Sequence, residues 1–132
     1  MAESLVLDAS AMVDLLVGSD HAGSIQAHLH DTELHVPGHF DAEVLSALGT
    51  LHRASQLTTR QVTDRVTLVA SSPIVRHPLA PLLSGAWRRR GTLRLVDALY
   101  VELASQLDTL IVTTDRGLAS ASQRATLIER GS

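Results

Sequence analysis

Short apolar runs alternate along the chain with stretches in which apolar residues recur every three or four positions. Ser4 to Leu7 is an apolar run closed by Asp8, which predicts a buried strand. From Ala9 to Val17, Met12, Val13 and Leu16 fall at helical spacing, and Gly18 ends the segment. Ser19 to His30 predicts a second short helix carrying Ile25 and Leu29, and Glu33 to Val36 the next strand, closed by Pro37-Gly38. Phe40, Val44, Ala47, Leu48 and Leu51 mark one face of a helix from Phe40 to about Ala54. Thr58-Thr59-Arg60-Gln61 has the form of a capping box and opens a helix to about Ala70. A short strand is expected around Ile74 and Val75, a helix from Leu82 to Arg90, and a longer one from Val96 to Leu107. Thr109 to Thr113 predicts an apolar strand, followed by a short helix from Leu118 and a last strand at Thr126 to Ile128.

Strands alternating with helices at these intervals predict an α/β fold, a parallel sheet covered on both faces in three layers. No linker, repeat or low-complexity tract interrupts it, so residues 1–132 are expected to form one domain. Hydrophobic residues make up 45% of the chain and aromatics only 2%, so aliphatic side chains must supply the core. Cysteine is absent, which excludes disulfides, thiolate metal sites and a cysteine nucleophile. Lysine is absent too, which excludes a P-loop, a Schiff base and a phospho-receiver site. No Gly-x-Ser-x-Gly elbow marks a serine hydrolase, and Ser10 stands where a haloacid-dehalogenase-type phosphatase needs its second aspartate. The chain carries 11 arginines against 14 acids, a formal charge of −3, unlike a protein that binds duplex nucleic acid in bulk. The first residues carry no positive leader and no membrane-length apolar window follows, so a cytoplasmic location without membrane contact is expected.

The carboxylates change this picture most. Asp8 and Asp115 each follow a predicted strand, where parallel sheets bind ligands, although an aspartate there also caps helices. Glu43 falls on the buried stripe of its helix, with Asp41 on the opposite side. Asp97 projects between Val101 and Ala104 within an apolar arc, whereas Glu102 falls on the polar side. A carboxylate facing a core needs a partner. That partner is either an arginine such as Arg53 or Arg94, or a hard divalent cation shared among Asp8, Glu43, Asp97 and Asp115.

The segments Leu5-Val6-Leu7-Asp8-Ala9-Ser10, Glu43 to Leu48, Val96 to Ala104 and Leu110 to Leu118 resemble, in order, the motifs of the PIN-domain ribonucleases. The likeness is to the VapC-type toxins of bacterial toxin–antitoxin pairs and runs from Leu5 to about Ala119. It implies a strand order of 3-2-1-4-5 and a catalytic site in which Asp8, Glu43, Asp97 and Asp115 surround Mg²⁺ or Mn²⁺ and hydrolyse RNA. Asp8, Asp97 and Asp115 would hold metal, with Glu43 orienting water or holding a second ion. Ser10 and Thr113 match hydroxyl residues that fix the carboxylates. Arg116, beside Asp115, is a candidate substrate contact. The resemblance further implies a bacterial cytoplasmic protein, an RNA substrate, a VapB-like antitoxin in a groove and a homodimer. A PIN-like module that binds RNA or protein without catalysis is the alternative.

Three features stand outside this reading. Trp87-Arg88-Arg89-Arg90, with Arg94 nearby, is either a solvated helix end with a packed tryptophan or an RNA contact by pairing and stacking. The aliphatic residues of the first two helices, Met12 to Leu29, either pack on the sheet or form a groove for a partner helix. Among the 7 histidines, His35 and His39 are separated by Pro37-Gly38, and His28 and His30 would share a strand face without a third ligand. His39 and Glu43, four apart, can meet on one helical face.

Overall fold

In a computed structural model, residues 3–129 form a five-stranded parallel sheet with helices on both faces. The elements are β1 (Glu3–Leu7), α1 (Ala9–Val17), α2 (Ala22–Leu29), β2 (Thr32–Pro37), α3 (Phe40–Arg53), α4 (Thr59–Ser71) and β3 (Val75–His77). A 3-10 turn (Ala80–Leu82) leads into α5 (Leu83–Arg88), then α6 (Leu95–Leu107), β4 (Leu110–Thr113), α7 (Arg116–Ala121) and β5 (Ala125–Leu127). The strand order is β3-β2-β1-β4-β5, all parallel, with Leu5 opposite both Leu34 and Leu110. The three-layer α/β/α arrangement and the order 3-2-1-4-5 are those expected. Among the described residues no helix is long and apolar enough to cross a membrane.

The central strands are apolar runs because both faces are covered. Val6, Val36 and Ile111 are fully buried, and so are Tyr100, Phe40 and Leu48 on the helices. Gly18 ends α1 in the left-handed region at φ 67°, where a side chain would be strained. Thr58 and Gln61 form the predicted capping box, with the Gln61 N–H donating to Thr58 Oγ1 at 3.1 Å and the Thr58 N–H to Gln61 Oε1 at 2.8 Å.

Several expectations shift. The second helix starts at Ala22, because the Ser19 hydroxyl and carbonyl accept from His21 and Ala22 in a turn of their own. His28 lies in that helix and not on a strand. β3 begins at Val75, and buried Ile74 anchors it from outside the ladder. The predicted Leu82–Arg90 helix ends at Arg88 and is preceded by the 3-10 turn carrying Pro81. Glu102 is not on a polar face: α5 covers that side of α6, and every residue from Asp97 to Ala104 is buried.

Candidate active site

At the carboxyl end of β1, Asp8 occupies the N-cap position of α1, but its side chain caps nothing. Oδ2 instead accepts two hydroxyl hydrogen bonds, from Ser10 at 2.6 Å and from Thr113 at 2.7 Å. Both expected hydroxyl residues therefore hold this carboxylate. The Thr113 and Ser10 oxygens accept in turn from the backbone N–H groups of Asp115 and Thr114, at 2.9 and 3.2 Å, which fixes both side chains. Asp8 is 5% exposed. Burial raises its pKa, the two hydroxyls work against the rise, and the neighbouring charges of Asp97 and Glu43 add to it.

Glu43 projects from the first turn of α3. It accepts a hydrogen bond from the buried Tyr100 hydroxyl at 2.7 Å and lies 3.4 Å from His39 Nε2, the helical pairing expected from their spacing. His39 Nε2 also lies 2.9 Å from the Val96 carbonyl, donating to it. Burial and the Glu43 carboxylate push the Tyr100 hydroxyl far above its ordinary pKa, so it stays a donor. Arg53 is not the partner of Glu43; it turns to the Thr50 hydroxyl at 3.2 Å.

Asp97 lies in the first turn of α6 and is paired with Arg94 by contacts of 2.9 and 3.3 Å. This is one of the two partners the sequence left open. The pairing raises the Arg94 pKa, with smaller contributions from Asp115 and Glu43, so the guanidinium stands within the field of three acids. Asp115 is a helix cap: its Oδ1 accepts from the N–H groups of Gly117 and Leu118 at 2.8 and 3.3 Å. Arg116, next to it, is exposed.

The sheet thus brings Asp8, Glu43 and Asp97 within electrostatic reach of one another, with Asp115 at the next strand end. As they stand, no three Asp, Glu or His side chains among the described residues converge closely enough to hold an ion. The donor set is nevertheless all oxygen, and the mutual repulsion expressed at Asp8 favours a hard cation. In its chemistry the all-oxygen set suits Mg²⁺ or Mn²⁺, while in this geometry Asp97 is engaged by Arg94 and Asp115 by the first N–H groups of α7. Sequence reading missed Tyr100, hidden in an apolar stripe, and Asp14, which accepts from the Thr114 hydroxyl at 2.6 Å behind the strand end. His35 goes to a separate cluster, 2.8 Å from His77 and 2.7 Å from Glu33.

Residues 5–123 match the PIN domain model. The chain belongs to the PIN-domain family, among the VapC ribonucleases. It is 52% identical over 120 residues to Ribonuclease VapC3 of Mycobacterium tuberculosis (strain H37Rv), spanning 90% of this chain and 88% of that one. Ribonuclease VapC12 of the same organism is 34% identical over 123 residues, 89% of this chain and 91% of that one. In fold, the crystal structure of M. tuberculosis VapC20, described as a sarcin-ricin loop cleaving toxin, matches with a TM-score of 0.70 at 15% identity, over 96% of this chain and 99% of that one. A toxin–antitoxin complex from Klebsiella pneumoniae matches with a TM-score of 0.67 at 12% identity, over 96% and 98%.

Proposed function

We propose that this chain is a Mg²⁺- or Mn²⁺-dependent endoribonuclease, the toxin of a toxin–antitoxin pair. The observation that carries the reading is Asp8, a buried carboxylate that no guanidinium neutralises, held in place by two hydroxyls and facing two further acids. Such an arrangement is costly unless a cation completes it. Asp8, Asp97 and Asp115 would hold the ion, and Glu43 would take part on the water side. A bound divalent ion supplies a Lewis acid for the phosphoryl oxygen and eases deprotonation of water. Glu43, fixed by the Tyr100 hydroxyl, orients the attacking water and accepts its proton. Ser10 and Thr113 hold Asp8 in one rotamer so that no reorganisation is needed during turnover. Arg116, exposed and next to Asp115, would meet the RNA backbone.

The antitoxin reading is supported by family membership and by a groove of about 620 Å³ whose apolar wall is Met12, Leu15, Leu16, Leu29 and Leu68, with Asp64 and Arg65 also lining it, a surface of the kind that takes an amphipathic helix. We further propose that two copies associate, as family resemblance implies. The Arg94–Asp97 pair favours the second reading, a module that binds without cutting.

One assay decides between them. Short single-stranded RNA should be cut in Mg²⁺ or Mn²⁺, and cutting should stop on chelation and in Asp8→Asn or Asp97→Asn. Loss of Lewis-acid stabilisation worth several kcal/mol corresponds to about three orders of magnitude or more in rate. Undiminished cleavage in chelator, or in either variant, overturns the mechanism. A folded wild type that binds RNA but leaves it intact in either metal establishes the binding module.

A further inference from the structure

Two groups of the carboxylate site leave the chain at one turn. Thr113, a donor to Asp8, and Asp115 are separated only by Thr114, at the step from β4 into α7. Thr114 gives its hydrogen bonds to α1. Its N–H donates to Ser10 Oγ at 3.2 Å, and its hydroxyl donates to Asp14 Oδ2 at 2.6 Å. Ser10 and Asp14 are about one helical turn apart, so both meet the end of β4 from the same face of α1. The Asp14 bond is the shorter of the two and is charge-assisted. The Asp14 side chain is 26% exposed, with its other oxygen 3.8 Å from His21 Nδ1. Its backbone carbonyl accepts from the Ser19 N–H at 3.1 Å, where α1 closes. Held at both backbone and side chain, Asp14 is a fixed acceptor. Asp97 and Glu43 act on Asp8 by charge, whereas Asp14 reaches it along a path of hydrogen bonds through Thr114 and Ser10.

We infer that Asp14 is a positioning residue of the carboxylate site: through Thr114 it locks the β4–α7 turn onto α1 and so fixes Thr113 and Asp115 relative to Asp8. The inference deepens the metal-dependent reading and rests on it for what the carboxylates hold. Asp8 and Asp115 follow neighbouring strands, and the ladder joining β1 to β4 ends with Leu7 opposite Val112. Beyond that pair, side-chain bonds help to set the spacing. With the Asp14 bond removed, Ser10 is left to tie the turn to α1, and its hydroxyl already serves Asp8. Mg²⁺ tolerates little departure from octahedral geometry, so slack between its carboxylates lowers affinity. A bond that only holds the fold together would cost stability and leave the ion indifferent.

Two readouts test it, one of them without metal. In chelator, the Thr114 N–H of Asp14→Ala should exchange with solvent about fivefold faster or more by NMR, the equivalent of one net hydrogen bond. Mn²⁺ affinity by calorimetry should fall about 3- to 10-fold, short of the roughly ten- to hundredfold lost with groups bonded directly to a metal ligand. Asp14→Asn keeps an oxygen for the Thr114 hydroxyl and should stay within about twofold of wild type in both. Thr114→Val should weaken Mn²⁺ binding as Asp14→Ala does, and the double variant no further, because each removes the same bond. Val69→Ala, a truncation on the buried face of α4, should lower stability with Mn²⁺ affinity unaltered. Unchanged Mn²⁺ affinity in a folded Asp14→Ala overturns the positioning role. So does an Asp14→Asn as weak as Asp14→Ala, which makes charge the cause. A Val69→Ala that weakens Mn²⁺ equally overturns it too, since general loosening then suffices. A wild type that takes up no Mn²⁺ sinks the metal-dependent reading, while Thr114 exchange that depends on Asp14 still upholds the lock; Mn²⁺ uptake indifferent to Asp14, with RNA cut in metal, does the reverse.

Discussion

Two carboxylates are buried to nearly the same depth in this molecule, Asp8 at 5% and Glu102 at 8% exposure, and they are satisfied in opposite ways. Glu102 lies between α5 and α6. Arg89 donates to its Oε1 at 3.1 Å and Gln106 to its Oε2 at 2.8 Å. Gly85 leaves the space it occupies, since a methyl group there would run into the carboxylate. Its charge is cancelled inside the fold, and its work is to join two helices. Asp8 receives only neutral hydroxyl donors, and the charges nearest it are negative. Hydrogen bonds fix its orientation without cancelling its charge. Buried carboxylates of the first kind hold structure together, whereas those of the second kind are kept ready for something from outside.

The contrast breaks or holds on stability. Glu102→Gln leaves Arg89 without its counter-charge next to an already unpaired buried Nε, and should cost about 2–4 kcal/mol in a denaturant melt at neutral pH. Asp8→Asn keeps an oxygen for both hydroxyls and removes a repelled charge, so it should stabilise the metal-free protein by about 0.5–2 kcal/mol. The sign follows from the raised pKa. In the folded state Asp8 retains its proton to higher pH than in the unfolded chain. Wild-type stability from this group is therefore full below the unfolded carboxylate range and lost as pH rises through the folded value. The advantage of Asp8→Asn should open over that window and close in acid. An Asp8→Asn protein that is less stable than wild type at neutral pH would make Asp8 another Glu102.

The hydroxyls sharpen the same contrast. Thr113→Val is nearly isosteric but removes a donor to Asp8 and the acceptor of the Asp115 N–H. Activity should fall about 10- to 100-fold, as it does when the groups that orient a metal ligand are lost. Mn²⁺ affinity measured by calorimetry should fall in parallel, and a loss of about 1–2 kcal/mol in stability should accompany it. Loss of stability with unchanged Mn²⁺ affinity would reduce Thr113 to a buried strand residue.

Much of the architecture was legible because β1 and β4 each contain an apolar run, Leu5-Val6-Leu7 and Ile111-Val112, of the kind that burial on both faces of a sheet produces. β3 was harder, since Val75 on that edge strand is exposed and Ile74 beside it is not. The strand order came through family resemblance, because spacing carries no information on which strand lies next to which. At the site, Asp8 and Asp115 look alike in sequence, each an aspartate after a strand. What separates them is Thr113, 105 residues from Asp8, and no local pattern reports a contact at that distance. Glu102 was misplaced because helical periodicity assumes one wet face, and α5 removes it. Tyr100 escaped because its ring belongs to the apolar stripe while its hydroxyl serves Glu43.

Arg94 bears on the comparison most gently. Its guanidinium holds Asp97 much as Arg89 holds Glu102, except that the Arg94 side chain is 73% exposed and that of Arg89 only 32%. Solvent screens the outer pair, and an exposed pair exchanges readily for a better cation. On the proposed reading Arg94 is a provisional counter-charge that would compete with a divalent ion for the same carboxylate. Arg94→Gln should raise Mn²⁺ affinity by about two- to fivefold at low ionic strength, the range that a screened pair can supply. The gain should shrink as salt rises, because salt already weakens the competing pair. If Arg94→Gln lowers Mn²⁺ affinity, Arg94 helps to shape the site, and Asp97 then belongs with Glu102 among the carboxylates that structure has already claimed.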